Sequence, residues 1–493
     1  MKKLAMMSPE GSLGLLLSLA GTVLFLAGIL SVMLLYAFNI DEGYNSQVSL
    51  NLLRYGVCGS KTLDGLRWFD SHVSTGPVVL LPVAISFLGL GDGILQARLV
   101  SQAFVLLSLL ILTVLARRLY GPVAAGLAVL LFVTTRKGFT ILGMVLGEGA
   151  AVCMFVAGLL LWSYTEEKRS PALACGAGIL WGLSVWAKPS MAMAVLFIVV
   201  GLPICVLVRE PLGKTLPALA AATSIAVAAT WFVLPVLFSV QSGYLLQSGA
   251  NSSLVAQQLK LTIGKNALRN FRILLQMQGL AVPLATPFGI RHLRQSQSLR
   301  TSKLLVHVVP TAWIDWWFLF SEFPIYQHLV PGLLIGSVPL AHVVILLFRR
   351  KGGVAFNIYR IVLVGLVTAG VNLSTLSIAD HFKGLREPYE QRKAQERFAA
   401  QVASLDPDAI VLGIDWFMAW ETAFLTDRSF GRITSAAELP EGRSFLIVTP
   451  TIQWNIERSQ RVLDIVERCS GEIMFDEPPW YRLYRVDAPC SDC

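Results

Sequence analysis

Residues 13–44 read LGLLLSLAGTVLFLAGILSVMLLYAFNIDEGY, and this stretch decides the fold. The apolar run from Leu13 to Phe38 is too long for an ordinary core helix, and at ~1.5 Å per residue it spans a bilayer. The adjacent carboxyl groups of Asp41 and Glu42 therefore emerge just beyond the outer end of a first membrane span. Such a pair suits general-base chemistry or metal binding, and the simpler alternative is an acidic first turn of a solvated helix.

The composition places the whole chain in the membrane class. Of the 493 residues, 55% are hydrophobic and only 14% are charged, whereas a soluble globular protein has about 25% charged residues. The net charge of +9 comes from basic clusters between apolar runs. Basic clusters between apolar runs are typical of membrane proteins, whereas a nucleic-acid-binding protein would concentrate its positive charge in one stripe. We therefore predict a multi-pass protein of the inner or plasma membrane, with no nucleic-acid partner.

The apolar runs predict about eleven membrane spans, beginning with a cytoplasmic N-terminus after a short basic start. Because this number is odd, the C-terminal region is expected on the extracytoplasmic side. Residues 39–94 form a long first outer loop, in which Tyr44–Tyr55 and Pro77–Leu90 are predicted to be interfacial helices. Residues 1–379 are thus the predicted membrane domain, and residues 380–493 are a small extracytoplasmic domain.

The C-terminal residues 380–493 alternate between helix and strand patterns, which indicates a small α/β layer. The predicted elements are helices at Gln391–Ala403 and Ser459–Cys469, strands at Ala409–Gly413 and Phe445–Thr449, and a hairpin at Glu472–Val486. No glycine-rich phosphate loop is present, so this domain is not predicted to bind a nucleotide-activated donor.

A series of short motifs runs through the N-terminal half of the chain in a characteristic order. They are Asp41-Glu42-Gly43-Tyr44, Ser74-Thr75-Gly76-Pro77, Gly89-Leu90-Gly91, Ala97-Arg98-Leu99, Ala116-Arg117-Arg118-Leu119-Tyr120-Gly121, Leu146-Gly147-Glu148-Gly149 and Gly182-Leu183-Ser184-Val185-Trp186-Ala187-Lys188-Pro189. No single motif is specific. Their order and spacing resemble the integral-membrane glycosyltransferases of the C superfamily, and above all the branch with protein O-mannosyltransferases and lipid A aminoarabinose transferases.

The resemblance implies a transferase that moves a hexose or a pentose from a polyprenyl-phosphate donor to a hydroxyl acceptor on the outer side of the membrane. The acceptor would be a glycolipid, a polysaccharide or a protein, and the anomeric carbon would be inverted. Asp41 is then the expected general base. Glu42 and Glu148 are expected to bind or orient a divalent cation, Mg²⁺ or Mn²⁺, or else a basic group that offsets the charge of the departing lipid phosphate.

The chain departs from these relatives before the second interfacial helix. Relatives often carry Lys-Pro-Pro there, whereas this chain has Thr75-Gly76-Pro77, so a lysine that would contact the donor phosphate is absent. The candidates to replace it are Lys61, Arg67, His72 and Lys188. The sequence does not choose among them.

Each candidate has a simpler alternative. Glu148 could merely complement a helix dipole, Lys188 could extend its ammonium group to the lipid headgroups, and Arg98 could pair with a lipid or with an acidic loop residue. Two other functional classes are also consistent with a charged membrane protein. One is a polyprenyl-lipid flippase or transporter whose charges line a path, although we find no internal repeat. The other is a membrane scaffold whose outer domain binds a partner.

Overall fold

The computed structural model describes residues 9–63, 65–68, 75–135, 141–207, 215–241, 267–276, 279–293, 298–320, 328–349, 353–414, 420–433, 442–448, 472–478 and 480–488. The helices are α1 (Pro9–Leu35), α2 (Ile40–Tyr55), α3 (Pro77–Leu90), α4 (Ile94–Tyr120), α5 (Pro122–Val133), α6 (Glu148–Lys168), α7 (Pro171–Ala187), α8 (Ala192–Leu207), α9 (Thr215–Gln241), α10 (Ala267–Gln276), α11 (Ala281–Leu293), α12 (Arg300–Phe320), α13 (Val330–Arg349), α14 (Val354–Lys383), α15 (Arg386–Ala403) and α16 (Trp420–Thr426). The strands are β1 (Gly59–Thr62), β2 (Gly65–Trp68), β3 (Ile410–Ile414), β4 (Gly431–Ile433), β5 (Gly442–Val448), β6 (Glu472–Glu477) and β7 (Tyr481–Ala488).

The apolar helices make this a multi-pass membrane protein. Among the described residues, four helices are long and apolar enough to cross a membrane, namely α1, α4, α6 and α13, and several shorter apolar helices lie between and after them. The number of eleven spans stays a prediction. Between Ala267 and Leu293 the chain forms two short helices, α10 and α11, with Gly279 between them.

Glycines allow α1 to lie unusually close to α5. A Cβ atom built on Gly14 would stand 2.5 Å from the Pro122 carbonyl oxygen, and one built on Gly126 would stand 2.5 Å from the Gly14 carbonyl oxygen. A side chain at either position would therefore push the two helices apart. Close approach through small residues is a common way to pack helices in membranes, and here it anchors the helix that leads into Asp41.

Residues 39–94, which the sequence predicts as the first outer loop, contain both of the predicted helices. Helix α2 begins with a capping box, in which the Asn39 side chain accepts a backbone hydrogen bond while Glu42 accepts the N–H of Asn39. It ends at Gly56, whose φ of 68° suits glycine. Helix α3 has the predicted bounds Pro77–Leu90. The β1–β2 hairpin between them was not predicted, because strands of four residues are too short for a clear alternation.

The chain beyond α14 forms a five-stranded mixed sheet in the order β4-β3-β5-β7-β6. Strands β4 and β5 pair with β3 in parallel, while β7 pairs with β5 and β6 in antiparallel. The predicted strands and hairpin correspond to β3, β5 and β6–β7, and α15 contains the predicted helix Gln391–Ala403. Helix α14 continues to Lys383, past the predicted boundary at residue 380. The predicted helix Ser459–Cys469 lies outside the described residues.

This C-terminal region packs directly on the first outer loop. Tyr44 and Val48 of α2 belong to the same buried apolar cluster as Phe398 of α15. The Gln395 side chain accepts the Phe38 N–H at 2.7 Å and donates to the Phe38 carbonyl at 2.9 Å. The segment between α1 and α2, which leads into Asp41, is therefore held by residues from the other end of the chain.

Candidate active site

Asp41 and Glu42 are neighbours in sequence, but their side chains diverge because about 3.6 residues complete one helical turn. Glu42 is fully buried and accepts two hydrogen bonds from Arg98, Nε to Oε1 at 2.9 Å and Nη2 to Oε2 at 2.7 Å. Its oxygens also accept the backbone N–H groups of Asn39 at 3.0 Å and Val145 at 3.1 Å. Each carboxylate oxygen of Glu42 thus accepts two hydrogen bonds.

Arg98 completes this network from α4. Its remaining N–H groups donate to the carbonyl oxygens of Val32, Tyr36 and Ala37, at 2.8 to 3.0 Å. Val32 lies in the last turn of α1, where its carbonyl also accepts the Tyr36 N–H at 3.3 Å, and Tyr36 and Ala37 follow directly after the helix end. Arg98 therefore pairs with an acidic loop residue, one of the alternatives considered from the sequence, and ties α1, α2 and α4 together.

A second buried ion pair joins α6 to the end of α7. The Lys188 ammonium lies 3.1 Å from Glu148 Oε1 and donates to the Leu146 carbonyl at 2.9 Å. The Glu148 side chain is only 1% exposed and that of Lys188 only 7%. Apart from Lys188, neither oxygen of Glu148 has a hydrogen-bond partner among the described residues. This pair consequently keeps hydrogen-bonding capacity that the Glu42–Arg98 pair has used up.

The start of α3 lies beside Lys188. The Gly76 N–H donates to the Ala187 carbonyl at 3.3 Å, and the Thr75 hydroxyl donates to the Leu146 carbonyl at 3.1 Å. Gly147 has a φ of 90°, and a Cβ there would stand 2.8 Å from the Ala187 carbonyl oxygen. The Thr75-Gly76-Pro77 segment, which lacks the lysine of its relatives, is thus next to a lysine from another helix.

Asp41 is a partly exposed residue, and its carboxyl interacts electrostatically with Lys188, Glu42 and Glu148. Burial raises its pKa, the Lys188 ammonium lowers it and the Glu42 carboxylate raises it, with a net increase. A carboxylate with a raised pKa is a stronger base than free aspartate. The partial exposure gives a ligand access to it.

Two further titratable groups near the site were missed from the sequence. His328 Nδ1 lies 3.9 Å from Glu148 Oε1, and burial together with Lys188 lowers the His328 pKa to about 3, so the imidazole is neutral. Glu421 of α16 is 2% exposed, and burial together with the Asp41 charge raises its pKa to about 7. An acid within the apolar stretch Trp420–Leu425 was the one available signal for Glu421.

The other donor-phosphate candidates lie elsewhere or are not described. Lys61 of β1 donates to the Asp427 carbonyl at 3.2 Å and lines a cavity of about 380 Å³ together with C-terminal residues. Asp41, Glu148 and Lys188 are not among the residues that line this cavity. Arg67 pairs through its backbone with Ser60 in the hairpin. His72 lies outside the described residues.

The acidic residues fit a divalent metal poorly. Glu42 has no free coordination capacity, because Arg98 and two backbone N–H groups use both of its oxygens. At Glu148 the Lys188 ammonium stands where a cation would bind. Within the described ranges, no three His, Cys, Asp or Glu side chains are grouped to hold a metal ion. Both glutamates thus hold a basic group, the second of the two roles expected for them, and no reaction step is assigned to Mg²⁺ or Mn²⁺.

Comparisons with known proteins agree with this architecture. The family described as dolichyl-phosphate-mannose-protein mannosyltransferase matches residues 74–234, which include α3 to α7 and Lys188. No curated protein matches the chain.

Solved structures resemble nearly the whole chain. ArnT from Cupriavidus metallidurans bound to undecaprenyl phosphate superposes with a TM-score of 0.64 at 12% identity, covering 96% of this chain and 99% of ArnT. Its apo form gives 0.63 at 13% identity, covering 95% and 99%. The oligosaccharyltransferase of Archaeoglobus fulgidus in complex with Zn and sulfate gives only 0.48 at 11% identity, covering 94% of this chain and 72% of that one.

The chain therefore has the fold of ArnT, and its residues 74–234 are similar to the mannosyltransferase family, which confirms the resemblance predicted from the N-terminal motifs.

Proposed function

We propose that this protein transfers a sugar from a polyprenyl-phosphate donor to a hydroxyl acceptor at the outer surface of the inner or plasma membrane. The observation that carries this proposal is that Asp41, a partly exposed residue, interacts electrostatically with the buried Glu148–Lys188 pair. The similarity to ArnT, which was crystallised with undecaprenyl phosphate, supports a lipid phosphate as the donor's leaving group.

Asp41 acts as the general base of this reaction. The acceptor oxygen forms a bond to the anomeric carbon as the bond between that carbon and the phosphate oxygen breaks, and its electron pair leaves with the phosphate. Asp41 takes the hydroxyl proton. Attack opposite the leaving group inverts the anomeric carbon. In the proposed membrane topology the N-terminus is cytoplasmic, and the C-terminal region lies on the extracytoplasmic side, where the acceptor is.

Lys188 provides the positive charge for the donor phosphate. Its ammonium lies beside the N-terminal end of α3, where the helix dipole also favours an anion. Glu148 orients Lys188 through the 3.1 Å contact. Lys188 thereby replaces the lysine that relatives carry before the second interfacial helix.

Replacing Asp41 with Asn tests the assignment. We expect Asp41→Asn to lower the transfer rate by ~10²–10⁴-fold, because the amide cannot accept the proton. Donor binding and thermal stability should stay close to those of the wild type. The measurement is transfer from a synthetic polyprenyl-phosphate sugar by the purified, detergent-solubilised protein, with Glu472→Gln on the exposed edge strand as control.

A fully active Asp41→Asn protein would refute the base assignment.

The same assay in excess chelator tests whether transfer needs a divalent cation. Because Lys188 already neutralises Glu148, transfer should continue in chelator. A loss that added Mg²⁺ or Mn²⁺ restores would instead show that a divalent ion acts at this rim.

A further inference from the structure

The backbone that leads from α1 to Asp41 is held by side chains from other helices. Carbonyl groups that accept a side-chain hydrogen bond are those of Val32, Met33, Leu34, Tyr36, Ala37 and Phe38. The donors are Arg98 of α4 and Arg392 and Gln395 of α15. Because the last carbonyl groups of a helix have no partner within it, the tertiary structure supplies partners here.

Gln395 binds both polar backbone groups of Phe38. Its side-chain oxygen accepts the Phe38 N–H at 2.7 Å, and its amide nitrogen donates to the Phe38 carbonyl at 2.9 Å. Gln395 is fully buried, so water does not compete for these bonds. A guanidinium group could not replace it, because arginine has donors but no acceptor. The Phe38 peptide groups are therefore fixed by one neutral side chain of the C-terminal region.

Phe38 is joined to Asp41 through the start of α2. It lies directly before Asn39, the capping residue, whose side-chain oxygen accepts the Asp41 N–H at 2.9 Å. The Asn39 carbonyl accepts the Gly43 N–H at 2.8 Å. Asp41 lies in the first turn of this helix, so the position of its carboxyl depends on where the cap lies.

The Phe38 ring is held separately from its backbone. The Arg98 guanidinium lies over the ring, with Cζ 5.5 Å from the centroid, and the Phe424 ring of α16 is 5.4 Å away between centroids. These contacts do not involve the Phe38 N–H or carbonyl. Loss of the Gln395 amide would thus leave the ring packed but deprive two buried backbone groups of their partners.

We propose that Gln395 is a positioning residue for the transfer reaction, which sets the place of the Asp41 carboxyl by holding the Phe38 peptide groups. This inference rests on the proposed function of Asp41. A general base must lie within hydrogen-bond reach of the proton that it takes, and a shift of ~1 Å can lower a rate by ~10²-fold. The C-terminal region is then part of the catalytic unit.

The first test replaces Gln395 with Met, which has a similar length but makes neither hydrogen bond. The kcat of transfer should fall by ~10- to 100-fold. Binding of undecaprenyl phosphate should stay at the wild-type affinity, because Lys188 is held by Glu148 and the Leu146 carbonyl. The stoichiometry of this binding gives the folded fraction, so kcat is expressed per folded protein. Gln401→Met, at a half-buried position of the same helix, is the matched control and should keep the wild-type kcat.

The second test is Gln395→Glu, which should be active or inactive according to pH. A protonated carboxyl can accept the Phe38 N–H and donate to the Phe38 carbonyl, whereas an ionised one has no donor. Tyr481, which hydrogen-bonds to Gln395, and the Glu42–Arg98 pair are present in both proteins. The variant rate is therefore divided by the wild-type rate at each pH. This ratio should approach one at low pH and fall towards the Gln395→Met value as pH rises.

The two variants separate this role from general stability and from the proposed function. A wild-type kcat in Gln395→Met, or a ratio for Gln395→Glu that does not change with pH, would overturn the role of Gln395, even if Asp41→Asn is inactive. If the Met variant does not fold, the pH dependence of the Glu variant decides. An active Asp41→Asn protein would instead remove the proposed function itself.

Discussion

The Glu42–Arg98 pair and the Glu148–Lys188 pair are both buried, but they differ in how completely their polar atoms are used. Glu42 accepts two side-chain and two backbone hydrogen bonds, and Arg98 also donates to the end of α1. Glu148 pairs with Lys188 at 3.1 Å and has the His328 ring at 3.9 Å, and it accepts no further hydrogen bond among the described residues. A fully hydrogen-bonded buried pair specifies structure, whereas one with spare capacity can respond to a ligand. We therefore expect the Glu42–Arg98 pair to stabilise the structure around the site and the Glu148–Lys188 pair to take part in ligand binding.

Removing the charge from the satisfied pair should have the largest effect on stability. Glu42→Gln leaves the Arg98 guanidinium buried without a counter-charge, and such a loss typically costs ~3–5 kcal/mol. We expect a clear fall in the midpoint of thermal unfolding in detergent, together with loss of the folded protein at growth temperature.

An unchanged unfolding temperature of Glu42→Gln would contradict this distinction between the two ion pairs. If Glu42→Gln unfolded at the wild-type temperature but lost activity, Glu42 would belong to the chemistry and not to its support.

Changing the unsatisfied pair should act on donor binding. Lys188→Gln removes a charged hydrogen-bond donor worth ~1.5–3 kcal/mol, so binding of undecaprenyl phosphate should weaken by about 10- to 100-fold. Titration of the purified protein with the lipid phosphate measures this change.

Lys61→Gln is the matched control, because Lys61 contacts the Asp427 carbonyl at a separate cavity. If Lys61→Gln weakened binding and Lys188→Gln did not, the donor phosphate would bind near the hairpin.

The smallest effect is expected at an exposed ion pair on the same side of the molecule. Arg54 lies 2.9 Å from Asp92, with side chains 35% and 51% exposed. Solvent screens such pairs, which are typically worth ~0–1 kcal/mol. Asp92→Asn should therefore leave the unfolding midpoint and the transfer rate nearly unchanged. A loss of stability as large as that expected for Glu42→Gln would show that burial does not explain the difference between the exposed and the buried ion pair.

Local sequence patterns were enough to predict much of the fold. The apolar run ending at Phe38 places Asp41 beyond a membrane helix, and Pro77–Leu90 was predicted with the bounds that the structure has. In the C-terminal region, short apolar runs located β3 and β5 and alternation located the final hairpin, whereas β4 was not predicted. These features depend on the length and the period of the apolar runs, and both can be read from residues that are close together in the sequence.

The tertiary structure decided which charges meet. Glu42 binds Arg98 from 56 positions along the chain, Glu148 binds Lys188 at the end of the next helix, and α16 of the C-terminal region docks on α2. No local period encodes such pairs, because helix packing and domain docking bring together side chains that are distant in sequence. Burial then sets their electrostatic strength, since the same carboxyl group behaves differently in water and between packed helices.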